Sequence, residues 1–281
     1  TRLVTPTDLD PLSTATVTSL MNGLPPAAHA TRLFESGQRV RLRIVNASGN
    51  TFFDFRIPEL PMQVVQVDGI NVEPVTVDEF RFGPGETFDV IVQPRNDAYT
   101  LFAETMERTG FARGTLASRP GLTAPVPERR PAQWLSMGDM IGNMSHTDAP
   151  MSHEAHGAGD SAMAMQEGAM VRARHATTEF GPSTDMRVDF PRTSLNDPGV
   201  GLREASHRVL TLSDLRSLNG PFDRREPQRE IELHLTGNME RYSWSIDGLE
   251  YGKSTPVHFR HGERLRVHLH NDTMMTHPMH L

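Results

Sequence analysis

Glu35-Ser36-Gly37-Gln38-Arg39-Val40-Arg41-Leu42-Arg43-Ile44-Val45-Asn46 sets Val40, Leu42 and Ile44 alternately with three arginines behind a Gly-containing turn. That period of two is the signature of a strand with one apolar face. The pattern returns as Arg260-His261-Gly262-Glu263-Arg264-Leu265-Arg266-Val267-His268-Leu269-His270-Asn271. The two stretches match without a gap at a shift of 225 residues, the interval from Gly37 to Gly262, which also sets Arg39 on Arg264, Arg41 on Arg266 and Asn46 on Asn271. In the same register Met21-Asn22-Gly23-Leu24 falls on Ile246-Asp247-Gly248-Leu249. Self-similarity at a fixed offset marks a repeated structural unit. Turn residues and alternating arginines also coincide by chance in sheet proteins, so the repeat is an expectation for the backbone to meet.

Continuing the register places Phe52 opposite His277 and Phe55 opposite His280. His277 and His280 lie three apart in His277-Pro278-Met279-His280-Leu281, after the strand-like run from Arg264 to His270. Imidazoles so placed approach a metal, but zinc and copper centres need three or four donors, so the pair supplies only part of one. The first unit has phenyl rings at the matching positions. One copy therefore reads as metal-free and the other as metal-bearing.

Elsewhere in the first 118 residues Phe52, Phe53, Phe55 and Ile57 run to Pro58, and Met62 to Val67 end at Asp68-Gly69. Val75 and Val77 mark a short strand, and Gly83-Pro84-Gly85 turns the chain into Phe88, Val90 and Val92. Tyr99 to Glu104 reads as the last strand, with a return through Gly110 to Leu116. No interval is long enough for a crossover helix, which predicts an all-β, two-sheet sandwich with a Phe and Val interior rather than a pocket. Residues 206–281 restart the pattern at Ile231, Leu233 and Leu235, then Tyr242, Trp244 and Ile246, then Leu265, Val267 and Leu269. They form a second, incomplete sandwich. His234, His258, His268 and His270 fall on polar phases or near turns and read as surface histidines.

Residues 119–205 differ. Pro120, Pro125, Pro127 and Pro131 break the start, and Pro182, Pro191 and Pro198 the end, which reads as a linker or long insertion. Met137, Met140, Met144, Met151, Met163, Met165 and Met170 are seven of the chain's 15 methionines, interspersed with His146, His153 and His156. Gly138, Gly142, Gly157 and Gly159 oppose a stable helix there, and the stretch has almost no Leu, Ile or Val to build a core. Thioethers suit Cu(I) and imidazole accepts either copper oxidation state, so the segment reads as a copper-handling one, with a biased, disordered spacer as the alternative.

Composition bounds the partners. A net charge of -7 without a long basic stretch argues against nucleic acid. No apolar run approaches a membrane span, no signal segment is visible, and the chain opens on Thr1. With no cysteine, neither a disulfide nor a thiolate ligand arises from these 281 residues.

Leu42–Pro58 (LRIVNASGNTFFDFRIP), Val64–Val92, the Met-rich insertion, Arg229–Gly248 and Asn271–Leu281 (NDTMMTHPMHL) together resemble the periplasmic copper-resistance multicopper oxidases of the CopA/PcoA kind. The resemblance implies cupredoxin-like Greek-key β-sandwiches. It makes 1–118 a copper-free middle domain, 119–205 a Pro-rich linker with a Met/His-rich insertion, and 206–281 the first part of a copper-bearing C-terminal domain. In the family motif His-Pro-x-His-Leu-His the first histidine, here His277, binds type 1 copper. The second, here His280, binds type 2 copper. The third histidine, a type 3 ligand, is not among these residues, nor are the His-x-His pairs and the His-Cys-His segment that complete the centres. The implied parent enzyme oxidises Cu(I) or phenolic donors and reduces dioxygen to water, using type 1, type 2 and type 3 copper in the periplasm. Two other readings stay open: a periplasmic copper-binding or sequestering protein working through the Met/His segment, and a structural β-sandwich module with incidental histidines.

Overall fold

The computed structural model describes residues 17–136, 138–139, 172–238, 241 and 243–279. Its described regular structure is almost all β, arranged in sheets consistent with cupredoxin-like sandwich domains. Among the described residues no helix is long and apolar enough to cross a membrane.

The first sandwich is built from β1 (Ala30–Leu33), β2 (Val40–Val45), β3 (Phe53–Arg56), β4 (Met62–Val67), β5 (Ile70–Val77), β6 (Glu79–Phe82), β7 (Thr87–Val92), β8 (Ala98–Thr105) and β9 (Phe111–Ala117). One sheet has the order β1-β9-β8-β3-β6 and the other β2-β7-β4-β5. Alternation in β2 does what its sequence dictates: Val40, Leu42 and Ile44 pack on the core while the arginines between them stay exposed. The interior is close-packed around Phe55, Phe80, Phe82, Phe88, Met62 and Val90. Phe80 and Phe88 stack with centroids 4.4 Å apart, and Phe55 sits 5.4 Å from Phe80. Each such buried side chain stabilises the fold by about 1.5–3 kcal/mol.

The backbone repeats with the sequence. Asn22 and Gly23 take φ of 51° and 78°, and Asp247 and Gly248 take 51° and 77°, so both Met21–Leu24 and Ile246–Leu249 are closed by turns with two left-handed residues. Gly37 and Gly262 match at 80° and 78°. Asn46 Oδ1 accepts from Ser48 N–H at 3.1 Å and Ser48 Oγ at 2.7 Å; Asn271 Oδ1 accepts from Thr273 N–H at 3.0 Å and Thr273 Oγ1 at 2.8 Å. These are the same side-chain turn on the same register.

The second unit carries β10 (Arg229–Asn238), β11 (Ser243–Ile246), β12 (Leu249–Glu250) and β13 (Leu265–Asn271) in the order β12-β11-β10-β13. β10 and β13 pair in parallel over seven residues, Arg229 with Leu265 through Leu235 with Asn271.

The described ends of the Pro-rich stretch are packed chain. By contacts, one compact unit gathers residues within 1–135, 194–226 and 275–281, and the other residues within 136–193 and 227–274. In the first, Asp54, Glu79 and Glu104 are fully buried and meet a set of guanidinium groups. Arg81 and Arg108 hold Asp54 at 2.7 and 2.6 Å, and Arg130 reaches Glu79 at 2.5 Å and Glu104 at 2.9 Å. Leu210 N–H donates to Glu79 O, fixing the later strip on the same edge. In the second unit, Ala173 N–H donates to Asp189 O and Asp185 N–H to Gly237 O, laying 172–193 over the β10 sheet.

Candidate metal centre

That covering strip changes the environment of β10. Glu232, His234 and Thr236 lie on its polar phase, which in a bare sheet faces water. Beneath the strip, His234 is 2% exposed and Thr236 fully buried. His234 is therefore not the surface residue expected from its phase, because the face read as solvated is covered by chain from 172–193. His270 is half-buried against it, rings stacked 4.7 Å apart at 7°, while His258 and His268 are exposed as expected.

Four buried or nearly buried side chains from three segments converge here: His175 and Glu179 from the covering strip, His234 from β10 and Asp272 from directly after β13. Their nearest donor atoms all lie within 4.8 Å of one another. His175 Nδ1 is 2.7 Å from Glu179 Oε2, and His234 Nδ1 is 2.6 Å from Asp272 Oδ2. The cross distances are 3.7 Å, His175 Nδ1 to Asp272 Oδ2, and 3.6 Å, His234 Nδ1 to Glu179 Oε2.

Each carboxylate is steered by its second oxygen. Ala176 N–H donates to Glu179 Oε1 at 2.7 Å, and Val188 N–H donates to Asp272 Oδ1 at 3.0 Å. Each histidine faces a further carboxylate with its other nitrogen: His234 Nε2 lies 3.2 Å from Glu232 Oε1 and His175 Nε2 lies 3.4 Å from Asp189 Oδ1. The His175 contact is outside hydrogen-bonding geometry, which leaves that buried nitrogen without a hydrogen bond. A cleft of ≈ 290 Å³ lined by Arg174, His175, Glu179, Glu232, His234 and Asp247 opens onto the group.

Burial disfavours charge on His234, but the hydrogen bond and charge of Asp272, with Glu179 and Glu232 beyond, outweigh it and raise its pKa to about 9. His270 goes the other way: burial and the neighbouring His234 lower its pKa. A divalent cation can take the place of the proton that His234 holds between carboxylates, since ligation needs a neutral imidazole.

Of the residues singled out from sequence, His277 is exposed, following Asp272 to Met275, most of which are buried. His280 lies outside the described residues, as do Met137, Met140, Met144, His146, Met151, His153, His156, Met163, Met165 and Met170. The cluster of His175, Glu179, His234 and Asp272 was not legible as a motif, since only His175 and Glu179 are close in sequence. The usable hint was a histidine in a strand, His234, followed much later by an acidic residue just after another strand, Asp272.

Two multicopper oxidase family models match the chain, one over residues 6–119 and the other over 224–281. The chain belongs to the multicopper oxidase family. It is 48% identical to a copper resistance protein A homolog of Pseudomonas syringae pv. tomato (strain ATCC BAA-871 / DC3000), over 98% of this chain and 50% of that protein. It is 45% identical to copper resistance protein A of Escherichia coli, over 98% of this chain and 51% of that protein. The chain thus spans about half the length of these relatives. Among solved structures, a laccase from Botrytis aclada aligns with a TM-score of 0.33 at 22% identity, over 37% of this chain and 21% of that one.

Proposed function

We propose that the chain forms part of a copper-dependent oxidase of copper resistance, active in the periplasm on Cu(I) or phenolic donors. The observation that carries this reading is the repeat: backbone turns recur at the same offset, and the register sets His277 and His280 where the first copy has Phe52 and Phe55. Residues 1–118 are then the copper-free middle domain, 119–205 the linker with its insertion, and 206–281 the opening part of the copper-bearing domain. His277 serves as a type 1 ligand and His280 as a type 2 ligand. The exposed ring of His277 suits that role in its accessibility. The chain has no cysteine, so its own donors supply only part of the copper set. Copper, when bound in the whole protein, supplies one-electron oxidation of the donor and reduction of dioxygen to water. Phe55, 2% exposed, keeps the equivalent place in the first copy apolar and closed to a metal.

The reading is tested on the coding sequence beyond Leu281. It requires a histidine codon directly after Leu281 and a later His-Cys-His; a stop codon there contradicts it and favours a copper-sequestering protein. Support for the sequestering reading comes from the Met and His content of residues 137–170. Its test is Cu(I) competition against a chelator. Replacing all seven methionines of the insertion with Leu removes acid-resistant Cu(I) binding if the insertion works, and leaves it unchanged if the segment is a spacer.

A further inference from the structure

We infer that His175, Glu179, His234 and Asp272 form a four-coordinate site for a first-row divalent cation of the Zn(II) or Cu(II) class, separate from the ligands His277 and His280. Metal bonds of about 2.0–2.1 Å in a tetrahedron place neighbouring donors about 3.3 Å apart. The nitrogen-to-oxygen distances of 2.6, 2.7, 3.6 and 3.7 Å bracket that value, so closing the site needs these separations to change by about 0.3–0.7 Å.

The surroundings fit ligation better than they fit a plain pair of hydrogen bonds. A histidine that binds metal through one nitrogen donates its other N–H to an acceptor that fixes tautomer and ring angle. Here both Nδ1 atoms point inward, while the Nε2 atoms of His234 and His175 face Glu232 and Asp189. In the metal-bound state each Nδ1 is an unprotonated ligand and the proton of each ring sits on Nε2, on the side of its outer carboxylate. Both carboxylates keep one oxygen on a backbone N–H and leave the other for the metal. Two imidazoles and two carboxylates without sulfur select a borderline cation over Cu(I), Ca²⁺ or Mg²⁺.

Topology gives the site a consequence. His234 comes from β10 and Asp272 directly follows β13, whereas His175 and Glu179 belong to the strip that covers the sheet. A bound cation would tie that strip to the sheet.

The test uses the whole 281-residue chain and Co²⁺, which thioethers bind poorly and whose absorption distinguishes four-coordinate from six-coordinate sites. The expected result is a four-coordinate Co²⁺ spectrum saturating at one ion per chain and displaced by Zn²⁺. His175→Asn should abolish that spectrum, and the variant with both His277→Ala and His280→Ala should retain it. Absence of the spectrum in the unmodified chain, its survival in His175→Asn, or its loss in the double variant would overturn the assignment. Should His175→Asn fail to fold, the half-exposed outer residue carries the test: Glu232→Gln should weaken Co²⁺ binding by about 10–100-fold, and equal affinity overturns the site.

Discussion

Arg130→Met probes how the Pro-rich stretch after the first sandwich is held. Arg130 Nη2 and Nη1 reach the two oxygens of Glu79 at 2.5 and 3.1 Å, its Nε reaches Glu104 at 2.9 Å, and its backbone N–H donates to Glu104 Oε1 at 2.7 Å. Glu79 and Glu104 are 0% exposed, so neither can recover its lost partner from water. Removing one member of a buried ion pair costs about 3–5 kcal/mol. Two effects pull toward the lower end. His207 Nε2 still lies 2.6 Å from Glu79, and Arg56, whose pKa is lowered by burial and by Arg130, is relieved of a like charge near both carboxylates. Arg130→Lys should fall between, because a single ammonium cannot satisfy both carboxylates as the planar fork does. Urea unfolding followed by Trp134 fluorescence in a Trp244→Phe background reads the first unit alone. A loss of about 3 kcal/mol is expected, restored in part by Glu79→Gln in the same chain. A loss below about 0.5 kcal/mol would refute the reasoning, since that is the scale of a change at an unconstrained surface.

Phe55→Ala should destabilise the first unit by about 3–5 kcal/mol, while Phe52→Ala, half-buried beside Gly83, should cost less; equal losses in urea titrations would contradict their different burial. Gly23 and Gly248 share a left-handed φ, but a Cβ at Gly248 collides with Thr178 O and one at Gly23 meets nothing within 4 Å. Gly248→Ala should therefore lower the thermal midpoint well beyond Gly23→Ala, and equal shifts would show that the 177–180 turn yields freely. For Asp54, burial raises the pKa but the hydrogen bonds and charges of Arg81 and Arg108 outweigh it and hold the carboxyl below its ordinary value. Its stabilisation is then fully present above about pH 4, the unfolded value, and is lost as pH falls through the lower native one. Thermal midpoints from pH 6 downward should drop less steeply in Asp54→Asn, and parallel curves would rule out this source.

Most of the sheet architecture was legible because it follows local periodicity. The β2 and β13 alternation, the Asn22-Gly23 and Asp247-Gly248 turns and the Asn46 and Asn271 side-chain turns are all properties of a few adjacent residues. What escaped depends on chain brought from far away. His234 has the phase of a surface residue, and only the return of 172–193 over β10 buries it. Pro125, Pro127 and Pro131 correctly signal irregular backbone, yet irregular backbone is not free backbone, since Arg130 anchors it in a buried charge network. Phe55 was readable as core from its run of aromatics, whereas the convergence of His175, Glu179, His234 and Asp272 has no spacing that a linear reading detects.

Oxygen uptake tests the proposed role most directly. If these residues belong to a longer oxidase, that protein, copper-loaded and supplied with Cu(I), should consume dioxygen above the free-copper rate, and His280→Ala should remove the excess. Absence of uptake in the unmodified protein, or uptake that survives His280→Ala undiminished, would contradict it.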